Sequence, residues 1–360
     1  MFFWLLSTAR SKQWHTARTT GDSMIEAAIW SVEAGRDLSM DEAARAVSLI
    51  MAGQATEDQI GRLLVALAEK GETVAEVAGA ALAMRRSMTP IRTSRTVVLD
   101  TCGTGGDGSG TFNISTAAAL ATAAAGVAVA KHGNRAATSR SGSADVLAAL
   151  GVNVEAPVAR VEACLEELGI CFCFAPLLHA TMKHVAPVRK RLGRPTIFNI
   201  LGPLVNPAGA SFQLIGVGRA ELRPLLAEAL TLLGSRRAVV VHGSDSLDEV
   251  TLAAPTHVTE AAEGRLRHFD WTPADFGLPR ADQSGLQVSG PEESAAVIRA
   301  ILDGRPGPAR EIVLANAAAA LWTAGVVSTL PDGVRRAAEA IDSGAARELL
   351  ARLAERTSED

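Results

Sequence analysis

The sequence predicts an α/β protein, with a small N-terminal helical bundle and a large domain whose mostly parallel central sheet is flanked by helices. Three observations predict it. Capping boxes and apolar residues at helical spacing recur as far as Arg86. Beyond that point short apolar runs alternate with helical stretches, the pattern of βαβ units. The first of those runs, Val97-Val98-Leu99, opens onto the glycine-rich turn Gly103-Thr104-Gly105-Gly106-Asp107-Gly108 and a helix start at Asn113-Ile114-Ser115-Thr116.

Residues 1–23 do not fit this scheme. MFFWLL is short, has no basic residue ahead of it and is followed by Arg10 and Lys12. A signal peptide puts its charges first, and a membrane helix needs about 20 apolar residues. The stretch is expected to be a disordered extension or a mis-chosen start, with Met24 the candidate true start.

Residues 24–90 are expected to form the bundle. The boxes Ser39-x-x-Glu42, Thr56-x-x-Gln59 and Thr73-x-x-Glu76 each start a helix, and Gly53 and Gly71 stand where helices end. Ile60, Leu63, Leu64 and Leu67 mark one buried stripe; Val47, Ile50 and Met51 mark another. Thr89–Thr96, with Pro90, is the linker. Residues 91–360 are expected to form the α/β domain, and helices near 184–205 to complete the bundle. Val127–Ala130, Gly151–Glu155, Cys171–Ala175, Phe212–Gly218 and Arg237–His242 read as further strands. Val161–Leu168, Leu222–Leu233 and Glu293–Leu302 read as helices. Thr256–Leu286 has no long apolar run and reads as short strands and turns. Glu311–Ala324 reads as a buried helix, with Val334–Ser343 and Ala345–Glu355 closing the chain as helices.

Composition narrows the function classes. Lys and Arg total 35 against 39 Asp and Glu, and no basic tract or aromatic-interleaved basic patch suggests nucleic acid. A small-molecule ligand is the better expectation. Cys102, Cys164, Cys171 and Cys173 lack metal-finger spacing and read as reduced, cytosolic thiols, Cys171 and Cys173 on one face of a buried strand.

A strand, a glycine turn and a helix start together make an anion site, because glycines let the backbone approach closely and N–H groups point at the ligand. Gly103, Gly105 and Gly108 also satisfy the G-x-G-x-x-G dinucleotide fingerprint. That fingerprint wants an acidic residue at the end of the second strand. Here the second strand ends in Lys131, with Arg135 and Arg140 behind it, and cations at that place ask for phosphate. No Gly-Lys-Ser/Thr follows the turn, which excludes a P-loop.

Two further constellations bear on chemistry. Asp248-Glu249 follow the strand Val239–His242, at the end where open α/β sheets bind ligands. From a loop both carboxylates can reach a hydrated Mg²⁺; on spacing alone a solvated acidic loop explains them as well. His179, Lys183, His184, Arg189, Lys190 and Arg191 read either as a basic helix face or as a frame that presents the planar fork of Arg189 to a carboxylate. No nucleophile elbow or HExxH motif accompanies the histidines, so no nucleophile or general base is assigned.

GTGGD, NIST, KHGNR (Lys131–Arg135) and SGSADVLAALGV (Ser141–Val152) resemble motifs of the anthranilate phosphoribosyltransferase family of tryptophan biosynthesis. So do HVAPVRKRLG (His184–Gly193), TIFNILGPLVNP (Thr196–Pro207), SLDEVT (Ser246–Thr251) and KGETVAEVAGAALAMR (Lys70–Arg85). The resemblance covers the chain from about Ile25 onward. It implies transfer of the phosphoribosyl group of phosphoribosyl pyrophosphate to the amine of anthranilate, with release of pyrophosphate.

By that resemblance the donor is held by Gly103, Gly106, Asp107, Thr111, Asn113, Ile114, Ser115 and Thr116. Lys131, His132, Gly133, Asn134, Arg135, Ala136, Ala137, Thr138, Ser139 and Ser143 continue the cradle, His132 shaping the pocket. Anthranilate meets Gly103, Asn134 and Arg189, and Ser115, Asp248 and Glu249 hold magnesium, two ions per subunit. A cytoplasmic homodimer joined through the helical domain is also implied, with no nucleic-acid or membrane partner. His179-Ala180-Thr181-Met182 and Pro195 depart from the family pattern near the acceptor and the domain junction, so they bear on acceptor affinity rather than on reaction type. A pyrimidine nucleoside phosphorylase would carry a lysine-histidine-serine signature where Asp100-Thr101-Cys102 stand here. A non-catalytic nucleic-acid-binding relative would lose GTGGD or Asp-Glu and gain a basic surface.

Overall fold

The computed structural model describes residues 21–136 and 139–359. The expected extension lies outside the described residues except for residues 21–23, which are helical, and Ala137 and Thr138 of the expected cradle lie outside them too. The described residues fall into two compact units. One comprises the chain up to Met88 together with His179–Leu201; the other comprises Thr89–Leu178 and the chain from Gly202 onward.

The chain begins with helices α1 (residues 21–33), α2 (Met40–Met51), α3 (Glu57–Lys70) and α4 (Val74–Ser87). All three capping boxes form as the sequence dictates: Ser39, Thr56 and Thr73 each accept the third helical N–H while Glu42, Gln59 and Glu76 reach back to the cap residue. Helix α2 lies against α4, and Gly79 is what lets them approach, since a Cβ there would stand 2.3 Å from the Met40 carbonyl oxygen.

The second unit starts with β1 (Val98–Gly103), α5 (Ile114–Ala124), β2 (Ala128–Gly133), α6 (Ser143–Ala149), α7 (Val158–Leu168), β3 (Ile170–Phe174) and α8 (Ala175–Leu178). Helices α9 (Ala186–Leu192) and α10 (Phe198–Leu201) return to the helical unit, α9 against α3. The second unit resumes with β4 (Phe212–Gly216), α11 (Leu222–Leu232), β5 (Arg237–Gly243), β6 (Thr256–Ala262) and β7 (Arg265–Trp271). It ends with α12 (Pro291–Leu302), α13 (Pro308–Thr323), α14 (Leu330–Asp342) and α15 (Ala345–Ser358).

The sheet runs β3-β2-β1-β4-β5-β6-β7, parallel from β3 to β5 and antiparallel beyond. The strand order reverses at β1, so the crevice at the C-terminal ends of β1 and β4 is the topological switch point where such sheets bind ligands. Helices α5 and α13 pack on each other, α5 against β1 and β2 and α13 against β4 and β5; both are alanine-rich and buried along most of their length.

Gly151–Glu155, expected as a strand, is instead the turn between α6 and α7. Val152 and Val154 are buried, but the Gly151 and Val152 N–H groups donate back to α6 and the Asn153 N–H donates to Thr357 Oγ1, so these ladder donors are taken. The Asn153 side-chain amide adds a bond to the Thr357 carbonyl. Strand β7 is polar because it is an edge strand and mostly exposed, whereas β6 is mostly buried. Among the described residues no helix is long and apolar enough to cross a membrane.

Candidate active site

The end of β1 becomes the glycine turn, and Gly105, Gly106, Gly108 and Gly110 all adopt φ between 67° and 83°, a path that side-chain-bearing residues rarely follow. In the sheet register Gly103 pairs with Gly216 at the end of β4. Both strand-end glycines face the Asp248 loop. A Cβ on Gly216 would lie 1.5 Å from the Asp248 carbonyl oxygen, and one on Gly103 would lie 3.0 Å from Asp248 Oδ2. The missing side chains therefore admit the acidic loop to the switch point.

Hydrogen bonds fix the acidic residues against the turn and the helix start. Asp248 Oδ2 accepts the Gly105 N–H at 3.1 Å, and Asp107 Oδ2 faces the Asp248 N–H at 3.5 Å. Glu249 Oε1 accepts the Ser115 N–H at 3.0 Å. At this helix start the N–H groups were expected to point at a ligand; Glu249 takes the one on Ser115, and Phe112 takes the one on Ile114.

Beneath them, on β2, Lys131 is buried and its Nζ donates to the Thr101 carbonyl at 2.5 Å and to Ser115 Oγ at 3.2 Å. Burial pushes its ammonium below the ordinary lysine range, while Asp100, Glu249 and Asp248 hold it up. Burial pushes the Asp248 carboxyl well above the usual range, and Asp107 and Glu249 add to the push. It pushes Glu249 up to about 7, against the pull of Lys131 and the Ser115 N–H. Three carboxylates thus converge where one lysine supplies the facing cation. That is a donor set short of positive charge and built of hard oxygen atoms, which fits Mg²⁺. Among the described residues no three His, Cys, Asp or Glu side chains form a ready metal cage.

The rest of the expected cradle surrounds this centre. Thr111 sits beside Ser109 and bridges to Gln287, and the Thr116 hydroxyl is buried with no hydrogen-bond partner. Asn113 is committed elsewhere: its Oδ1 accepts from Ser141 Oγ and from Ser294 Oγ on α12, and its side-chain amide donates to the Ser141 carbonyl. The His132 ring lies against the Gly202 carbonyl, with Nδ1 at 3.1 Å. Asn134 is exposed, and its backbone carbonyl accepts from Ser143 Oγ. Gly133 is needed there, since a Cβ would stand 2.0 Å from that hydroxyl oxygen. Arg135 points at Asp145 and Glu155 and stacks over Phe174, while the Ala136 N–H donates to Asp145. Ser139 Oγ donates to the Ser141 carbonyl.

In the helical unit Arg189 lies in α9, half-buried, with a guanidinium nitrogen 3.3 Å from Asn199 Oδ1 and its carbon 6.0 Å from the Phe198 ring centre. Burial lowers its guanidinium pKa. His179 is buried, and burial holds its imidazole down to about 4.

Sequence reasoning missed the support under the cradle. Asp100 is fully buried in β1, accepting the His132 N–H at 3.1 Å and the Asn206 amide at 2.8 Å; Asn206 also donates to the Ala130 carbonyl. The available signal was a carboxylate following Val97-Val98-Leu99, where an apolar residue belongs.

Comparison with known proteins matches both units. A model of the glycosyl transferase family a/b domain matches residues 95–347, and one of that family's helical bundle domain matches residues 28–88. The anthranilate phosphoribosyltransferase of Rhodospirillum rubrum is 55% identical over 94% of this chain and 97% of its own, and that of Rhodopirellula baltica is 52% identical over 91% and 96%. Among solved structures, anthranilate phosphoribosyltransferase from Thermus thermophilus superposes with TM-score 0.88 at 46% identity, over 92% of this chain and 99% of that one. The Saccharomyces cerevisiae enzyme in complex with phosphoribosyl pyrophosphate and Mg superposes with TM-score 0.85 at 29% identity, over 93% and 98%. The same yeast enzyme in complex with 4-fluoroanthranilate gives 0.84 at 28%, over 96% and 99%.

Proposed function

This chain belongs to the anthranilate phosphoribosyltransferases, glycosyl transferases built from a helical bundle and an α/β domain, and from that membership we propose how its residues carry out the reaction. The enzyme transfers the phosphoribosyl group of phosphoribosyl pyrophosphate to the anthranilate amine, giving N-(5-phosphoribosyl)anthranilate and pyrophosphate. The observation that carries the reading is the convergence of Asp107, Asp248, Glu249, Ser115 and Lys131 at the β1/β4 switch point.

The C1–O bond of the donor breaks through an oxocarbenium-like transition state, pyrophosphate leaves with the bonding pair, and the amine nitrogen closes on C1 and gives up a proton. Catalysis then consists of stabilising the departing charge and positioning the amine. Gly103, Gly106, Asp107, Thr111, Asn113–Thr116 and the run Lys131–Ser139 with Ser143 form the donor cradle, the Lys131 ammonium facing the leaving group. Asp248, Glu249 and Ser115 hold Mg²⁺, two ions per subunit, which when bound neutralises pyrophosphate charge. The placement of both carboxylates by the Gly105 and Ser115 N–H groups, beside Asp107, supports this assignment. Gly103 and Asn134 meet anthranilate, and Arg189 takes its carboxylate as a planar fork. The molecule is a cytoplasmic homodimer joined through the helical unit; exposed Trp30 and Met24 on α1 support the helical unit as the joining surface.

The test is a fluorescence assay of anthranilate consumption. Signal falls when donor and Mg²⁺ are both supplied and holds steady when either is withheld. A folded enzyme that binds the donor and leaves anthranilate untouched would reassign the acceptor.

A further inference from the structure

Helix α13 is buried and apolar along almost its whole length, from Ile312 to Leu321, with one exception. Asn316 sits in the middle of that run, 1% exposed. A buried amide without partners costs a few kcal/mol, so its bonds explain its presence. Asn316 Oδ1 accepts the Val250 N–H at 2.9 Å, and its Nδ2 donates to the Val250 carbonyl at 2.9 Å and to the Ile312 carbonyl at 2.9 Å. Both backbone groups of Val250 are thereby tied to one side chain, and Val250 directly follows Asp248-Glu249.

We infer that Asn316 is a positioning residue, which through Val250 holds Asp248 and Glu249 at the separation the metal site needs. The inference rests on the reading of those two carboxylates as metal ligands. Neighbouring carboxylates repel, and a loop carrying them relaxes outward unless its backbone is held. On the upstream side that hold comes from a turn with Ser246 at φ 69° and the Gly243 N–H on the Leu247 carbonyl at 2.8 Å. Asp245 Oδ2 accepts from Thr251 Oγ1 and from Gln283 Nε2, both at 2.6 Å. On the downstream side Thr251, whose N–H donates to Thr256 Oγ1 at 3.1 Å, is one hold. Asn316 is the one on Val250, nearest the acidic pair, and it stands on a helix packed against α5 and β4. The acidic loop is therefore braced by the core of the sheet domain. Outer-shell partners of metal ligands typically govern affinity by about ten- to a hundredfold.

The test titrates Mn²⁺ in the presence of pyrophosphate and follows water-proton relaxation, a readout independent of turnover. Asn316→Ala is compared with Leu321→Ala, which removes apolar packing from the same buried helix and no hydrogen bond to the loop. Asn316→Asp gives a second variant of the same shape that keeps an acceptor and loses the donor. The Asn316 variants are expected to bind Mn²⁺ about tenfold more weakly and to need correspondingly more Mg²⁺ for activity, and Leu321→Ala to bind as wild type. Wild-type Mn²⁺ binding by a folded Asn316 variant, or equal weakening in Leu321→Ala, would overturn the inference. Asp248→Ala/Glu249→Ala in the same titration separates the two claims. If that variant binds Mn²⁺ normally, the metal reading fails; if it loses binding while the Asn316 variants keep it, the positioning role alone fails.

Discussion

The carbonyl oxygen of Asp248 occupies the space that a side chain on Gly216 would need, 1.5 Å from where its Cβ would stand. Gly216 ends β4 and Asp248 follows β5, so adjacent parallel strands are fitted to each other at the reacting end of the sheet. Gly216→Ala is expected to displace the acidic loop and lower kcat/KM by about a hundredfold, the usual cost of misplacing reacting groups by about 1 Å. Steady-state kinetics beside a thermal melt would check it. Normal kinetics in the variant would mean that the loop does not need this contact.

Lys131→Met tests the buried cation. The substitution keeps an unbranched chain and removes the ammonium that touches Ser115 Oγ and the Thr101 carbonyl. If Lys131 faces the departing pyrophosphate as proposed, kcat/KM for the donor is expected to fall by about 10²–10³ while KM for anthranilate changes little. Kinetics with each substrate varied in turn would show the split.

Arg189 distinguishes a fork from a point charge. Arg189→Ala is expected to raise KM for anthranilate by about ten- to a hundredfold, the loss of charge-assisted hydrogen bonds. Arg189→Lys, which keeps the charge and loses the planar geometry, is expected to recover only part of that. The donor KM serves as the control and should hold in both.

His179 gives stability a pH dependence. Its folded pKa lies near 4, against 6.5 for the unfolded chain, because burial disfavours the imidazolium. Between those values the unfolded state binds the extra proton. This contribution is therefore complete above pH 6.5 and lost as pH falls toward 4, by about 3 kcal/mol at most. Urea melts of wild type and His179→Gln across that window should show a difference that shrinks as the pH drops. A constant difference would mean that His179 does not titrate on unfolding.

Much of the architecture was legible because it is written in local chemistry. Ser39, Thr56 and Thr73 announce their helices through side chains that cap the very next turn; β1 and β2 begin as apolar runs between helices, and β5 is an apolar run after α11. Val152 and Val154 misled because a short apolar segment between helices suggests a strand, whereas the Asn153 N–H finds its acceptor on Thr357, far along the chain. In the site, the glycine turn, Lys131 and the Asp-Glu pair stand out by residue type. Asp100 and Asn316 are visible only as polar residues in apolar runs, and their pairing with Asn206 and Val250 is not legible, because each meets its partner only after the sheet has formed.

The most direct test of the phosphoribosyl-transfer site measures pyrophosphate release against anthranilate loss at rising Mg²⁺, for wild type and for Asp248→Ala/Glu249→Ala. The account predicts equal, Mg²⁺-dependent rates of both in the wild type and a loss of at least about a hundredfold in the double variant at any Mg²⁺ concentration. Wild-type turnover by the double variant would contradict it and remove Asp248 and Glu249 from the reaction.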